Sequence, residues 1–134
     1  MEPKTRALIA VDVGEFDKSK KIITELEKRH DTQLKYILST HHHPDHHEHA
    51  VEIATKYNVS IGLSKDTHQR ILKRHGADYF KSIDLKYYKE GDTLTTSLGS
   101  SVNIYEVPGH DEGQLALAPD NLNWFLVGDL IQTV

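Results

Sequence analysis

The stretch STHHHPDHHEHA, residues 39–50, holds six of the chain's ten histidines, His41, His42, His43, His46, His47 and His49. Imidazole nitrogens and carboxylate oxygens at this density are the donors that bind a divalent transition metal. The chain has no cysteine, so disulfides, thiolate zinc sites and thiol nucleophiles are all excluded, and any metal is held by nitrogen and oxygen. Taken as H-x-H-x-D-H, the run offers His41, His43, Asp45 and His46. A strand has a side-chain period of two, so His41 and His43 at a strand tip point the same way and form a chelating pair. Asp45 and His46 then fall at the start of the next helix, whose N–H groups and dipole favour a carboxylate. Further along, His110 sits in VPGHDEG and Asp129 in FLVGDL, each at a strand end beside a glycine. With Asp12 of AVDVG, four separate strand ends deliver imidazole or carboxylate, where open α/β sheets place their ligands.

The elements that must position these groups follow from periodicity. ALIAVDVG (7–14) is an apolar run closed by Gly14 and reads as a buried strand. DKSKKIITELEKRH (17–30) places Ile22, Ile23 and Leu26 at helical spacing behind Asp17 or Ser19 as a cap. LKYILST (34–40) is a strand ending where the histidines begin. HEHAVEIATKYN (47–58) is helical by Ala50, Val51, Ala54 and Tyr57. VSIGLS (59–64) is a short strand, and KDTHQRILKRHG (65–76) a helix stopped by Gly76. From residue 85 the pattern turns to consecutive strands, with turns at Gly91-Asp92 and near Gly99. SVNIYEVPG (101–109), QLALAP (114–119) and NWFLVGD (123–129) follow, Trp124 and Phe125 reading as core. Strand–helix alternation and then a β-meander predict an α/β (α+β) fold, helices packed on a mixed sheet.

At 134 residues, with 37% apolar and 27% charged residues, the chain suits one domain, residues 1–134. No apolar run approaches the ~20 residues of a spanning helix, and the opening MEPKTRALIAVDVG lacks the apolar core of a secretory signal. A cytoplasmic protein without a membrane partner is expected. Net charge is −4, with lysines and arginines scattered rather than striped, which argues against a nucleic-acid partner. His30, His68 and His75, among Lys, Arg and Gln, read as surface residues; His42, His47 and His49 read as exposed, or at most as supports behind a ligand.

The order HxHxDH, then PGH, then GD resembles the metallo-β-lactamase superfamily of zinc- or iron-dependent hydrolases and a few oxygenases. THHHPDHH is similar to the glyoxalase II-like branches, and the strand carrying Asp12 to the family's LIDxG. The likeness runs from Asp12 to Asp129, and three linked motifs in one order argue against a solvated histidine loop with adventitious metal affinity. The resemblance implies an αββα sandwich, with His41, His43 and His110 forming one metal site, Asp45 and His46 belonging to a second, and Asp129 bridging them. It implies one or two zinc ions per chain, or iron or manganese, and a metal-bound hydroxide as nucleophile. Asp45 is then the catalytic residue, orienting that hydroxide and passing a proton to the leaving group. Asp12 and Thr40 become the residues that hold ligand imidazoles in the right tautomer.

The chain departs from that pattern in several places. The family's further histidine beyond GD has no counterpart before Val134, Glu48 and His49 replace the glycines of HxHxDHxGG, and Asp111 replaces the threonine of PGHT. The hairpin before LIDxG is also missing. The expectation is therefore a sandwich incomplete in one chain, shortened at its C-terminal end or completed by a homodimer that covers the open face. The expected function is metal-dependent hydrolysis of a small-molecule ester, thioester, lactone, β-lactam or phosphodiester. The alternatives are a mononuclear iron oxygenase of the same fold and an inactive metal-binding half-domain that self-associates.

Overall fold

Residues 6–30, 32–95, 101–107 and 113–120 are described by the structure, a computed structural model. The apolar segment ahead of Asp12 forms β1 (Arg6–Val11), followed by helix α1 (Phe16–His30), β2 (Thr32–Leu38) and a single 3-10 turn at Pro44–His46. Then come α2 (Ala50–Tyr57), β3 (Ser60–Leu63), α3 (Lys65–His75) and β4 (Leu85–Tyr87). Three strands close the described part: β5 (Thr93–Thr95), β6 (Ser101–Glu106) and β7 (Leu115–Pro119).

β1 to β4 form one parallel sheet in that order, and β5 to β7 a separate antiparallel sheet. Both faces of the parallel sheet are covered. Ile37, Ile61 and Leu63 pack with Ile23 of α1, Ile53 of α2 and Ile71 of α3. Leu38 faces the other way and meets Leu94, Val102, Ile104, Leu115 and Leu117, joined by Ile9 and Val11. The layers are thus helices, parallel sheet, antiparallel sheet: the expected sandwich in its partial form. Among the described residues no helix is long and apolar enough to cross a membrane.

Three local expectations are corrected. Residues 85–87 do not open the meander; β4 joins β3 in parallel, Ile61 opposite Leu85, and the antiparallel run starts at β5. The second helix starts at Ala50 rather than His47, because Pro44 begins a 3-10 turn and residues 47–49 form a further turn. Ile22, expected on the buried face of α1, is 48% exposed, while Ile23 takes the core position. Gly76 ends α3 as expected, at φ +97°, a backbone state that side chains with a Cβ avoid. The strand expected at 123–129, with Trp124 and Phe125, lies outside the described residues.

Candidate metal centre

β1 and β2 end side by side, and the chain beyond each is pinned to the other. Asp12, the first residue past β1, adopts φ +60°, a left-handed state that Asp tolerates better than most residues. Its N–H donates to the Leu38 carbonyl at 2.9 Å. That twist turns its carboxylate to the segment after β2. There the Thr40 N–H donates to Asp12 Oδ1 at 2.7 Å and the Thr40 hydroxyl to Asp12 Oδ2 at 2.7 Å. His46 Nδ1 lies 2.8 Å from the same Oδ2, and His41 Nδ1 lies 3.0 Å from Thr40 Oγ1.

These distances fix the protons. A carboxylate only accepts, so the single Thr40 hydroxyl proton points at Asp12 and Thr40 Oγ1 must accept from His41 Nδ1–H. By the same reasoning His46 carries its proton on Nδ1. In their neutral form both imidazoles therefore carry the lone pair on Nε2, the arrangement a ligating histidine needs. One carboxylate sets two tautomers.

The rings converge. His41 and His46 have centroids 4.1 Å apart, and His41 meets His43 edge-on at 4.8 Å. Asp12, His41 and His46 each offer a donor atom within 4.8 Å of the others. Of these, Asp12 already receives three hydrogen bonds, so its place is behind the histidines rather than beside them as a ligand. His41 is fully buried, as is Thr40, and His43 and His46 are half-buried. A nitrogen-rich, thiol-free donor set with preset tautomers fits zinc, and equally iron or manganese.

The convergence does not come from strand pleating. β2 stops at Leu38 and His41 and His43 sit in the bend beyond it, so the turn rather than the period of two brings them together. The 3-10 turn then carries Asp45 and His46 back, closed by His46 N–H to the His43 carbonyl and His47 N–H to the Pro44 carbonyl. The side chain of Asp45 lies outside the described set, as do His110 and Asp129. The ends of the segment that bears His110 are anchored: Val107 N–H donates to the Gln114 carbonyl and Leu115 N–H to the Thr40 carbonyl, at 3.0 and 2.9 Å.

His47 is not the exposed residue the sequence suggested. It is 1% exposed, Nε2 lies 2.9 Å from the His42 carbonyl, and its ring packs edge-on against His75 at 5.5 Å. Burial lowers its pKa to about 4, partly opposed by the bond to His42 and reinforced by the nearby charges of His75 and Arg74. His68, expected at the surface, is half-buried with Nδ1 3.0 Å from the Tyr87 hydroxyl, and burial lowers its pKa too. His42 and His49 are half-buried, and His75 is exposed.

Sequence reading missed a clamp between α3 and the segment after His110. Ser64 caps α3 by accepting from Thr67 N–H at 3.1 Å, and its hydroxyl donates to the Gly113 carbonyl at 2.8 Å. The Thr67 hydroxyl reaches the same carbonyl at 3.2 Å. A serine just before a helix signals the cap; its partner 49 positions away leaves no local mark.

The family profile described as the metallo-beta-lactamase superfamily matches residues 10–134. A hydroxyacylglutathione hydrolase of Rhodopseudomonas palustris is 29% identical over 133 residues, which cover 99% of this chain and 46% of that protein. A hydroxyacylglutathione hydrolase of Bdellovibrio bacteriovorus is 24% identical, over 95% of this chain and 45% of that one. The chain thus spans somewhat under half the length of these curated relatives. Among solved structures, the metallo-beta-lactamase IND-7 superposes with a TM-score of 0.73 at 15% identity, covering 90% of this chain and 53% of that one. The subclass B3 metallo-beta-lactamase BJP-1 of Bradyrhizobium japonicum gives 0.59 at 21%, over 84% and 46%. At such identities the structural likeness speaks to fold alone, whereas the profile match takes in the β1 end, the histidine run and both downstream motifs: the chain belongs to the metallo-beta-lactamase superfamily.

Proposed function

We propose that the chain performs metal-dependent hydrolysis of a small-molecule acyl compound, with a thioester as the first candidate. The observation that carries this reading is the Asp12–Thr40–His41 and Asp12–His46 network, which leaves the Nε2 lone pair on two converging imidazoles. The thioester follows from the similarity to hydroxyacylglutathione hydrolases. His41, His43 and His110 would hold one zinc, Asp45 and His46 a second, and Asp129 both; iron or manganese would use the same donors. A bound zinc supplies a water acidified towards pKa ~7. Asp12 and Thr40 keep the imidazoles oriented, and Asp45 holds a proton and returns it to the leaving group. The reading places the protein in the cytoplasm as a homodimer, or with a further C-terminal segment, and gives it no nucleic-acid partner.

The test is direct. Protein stripped by a chelator and reloaded with zinc is expected to cleave a hydroxyacyl-glutathione thioester, and His41→Ala to lose that activity. Native mass spectrometry of the loaded protein is expected to show two metals per chain in a dimer. No thioester turnover with zinc, iron or manganese would overturn the reading.

A further inference from the structure

A cavity of about 580 Å³ opens beside the histidine run, lined by His42, Asp66, Gln69, Arg70, Lys73 and Arg74. Of these, Asp66, Gln69, Arg70, Lys73 and Arg74 lie on α3, at intervals of three and four that place them on one helix face. Among the described residues that line it, three are cationic and one is anionic, in a chain whose net charge is −4. Asp66 is committed: it accepts from Arg70 Nε at 2.7 Å and so holds that guanidinium against the wall. Lys73 and Arg74 have no carboxylate partner among the described residues.

The helix is fixed against the metal-binding segment along its length. Its first turn is tied to Gly113 through Ser64 and Thr67, His75 in its last turn packs on His47, and between them the cavity reaches His42. The His42 ring in turn lies 4.7 Å from that of His43. Complementing the helix dipole accounts for cations in the last turn. It does not account for Arg70, nor for their gathering in a concavity next to the candidate metal ligands.

We propose that this cavity binds the oxyanion of a substrate arm, a carboxylate or a phosphate, through Arg70, Lys73 and Arg74, and so selects anionic substrates. The proposal rests on the hydrolase reading for the word substrate. The anion site itself does not depend on it. Arginine suits the role because its planar fork matches a carboxylate or phosphate, and lysine adds a mobile charge.

The test uses metal-free protein in chelator at low ionic strength, where an exposed charge cluster is least screened. Succinate and inorganic phosphate are titrated separately, and backbone amide NMR shifts are followed. The expected result is saturable binding of at least one probe, with shifts centred on His42, Gln69, Arg70, Lys73 and Arg74. The double variant Lys73→Glu/Arg74→Glu is expected to weaken it about tenfold or more, since two nearby charges are reversed. A control with the same charge change on α1, Lys28→Glu/Arg29→Glu, is expected to change it less than about twofold. The better-bound probe names the anion. The proposal is overturned if neither probe binds, if shifts centre elsewhere, or if the control weakens binding as much as the cavity variant. Absence of thioester turnover by loaded protein would sink the hydrolase reading while leaving these shifts to stand or fall alone.

Discussion

A single carboxylate decides which nitrogen two histidines can offer. Asp12 receives the Thr40 hydroxyl and His46 Nδ1–H on one oxygen and the Thr40 N–H on the other. Asp12→Asn replaces one oxygen by an NH₂ group, which cannot accept. With that group at Oδ1 the Thr40 N–H loses its acceptor; with it at Oδ2 the Thr40 hydroxyl and His46 Nδ1–H lose theirs together, and the tautomer preference goes with them. Zinc affinity is expected to fall ~10–100-fold, as for other supports of ligand histidines. Competition with a chromophoric chelator measures this, and an affinity within twofold of wild type would show that the network does not set the ligands. Thr40→Val keeps the shape but removes the oxygen that orients His41. Its loss is expected to be smaller, and the double variant to lose less than the sum, because both changes break the same relay. The histidine spacing exposes the metal chemistry in sequence. The relay does not show there, since Asp12 and Thr40 are 28 positions apart and meet only because β1 and β2 run parallel.

Elements succeed or fail in the sequence according to how local their causes are. α3 is bounded by a serine cap and a glycine stop, both chemical signals within a few residues, and it starts and ends where they place it. The start of α2 is misplaced because the apolar residues that mark the helix begin only at Ala50, and the polar run 47–49 ahead of them carries no period to separate a helical turn from a continuation of the proline-led 3-10 turn. β4 is misassigned because only the free edge of β3 selects a parallel partner for Leu85–Tyr87. His47 looks polar in sequence, yet tertiary packing against His75 and the His42 carbonyl buries it. The clamp between α3 and the segment after His110 belongs to this long-range class, and it makes Gly113 sensitive. A Cβ there would lie 2.8 Å from both Ser64 Oγ and Asp66 Oδ2. Neither yields easily: Asp66 Cβ, 2.9 Å away, is fixed by the α3 backbone, and Ser64 is held by the cap it makes. Gly113→Ala is therefore expected to cost ~1–3 kcal/mol, as overpacking does, and Ser64→Ala ~1 kcal/mol for the lost cap. Urea midpoints read both; an unchanged midpoint in Gly113→Ala would mean that the segment yields freely.

For the whole molecule, two cores share one sheet, and the helix-side core is bordered by histidines held neutral. Ile37, Ile53, Ile61 and Ile71 fill that core; His47 packs against the last turn of α3 and His68 belongs to that helix, both with pKa values lowered by burial, that of His47 to about 4. In the unfolded chain each would titrate near 6.5. Below that value the unfolded state binds more protons than the native state, so stability must fall with pH. The contribution of His47 is complete above pH 6.5 and is lost as pH drops towards about 4. One proton gives a slope of at most ~1.4 kcal/mol per pH unit. His47→Gln retains a donor for the His42 carbonyl but cannot titrate. Urea unfolding of chelator-treated protein, followed from about pH 7.5 to about pH 4.5, is expected to show a steep loss in wild type and a shallower one in the variant. The variant starts lower at neutral pH, because its amide packs less well than the ring in a fully buried site. Parallel slopes would mean that His47 is already exposed to protons in the native state, and that the acid sensitivity of the fold lies in its carboxylates instead.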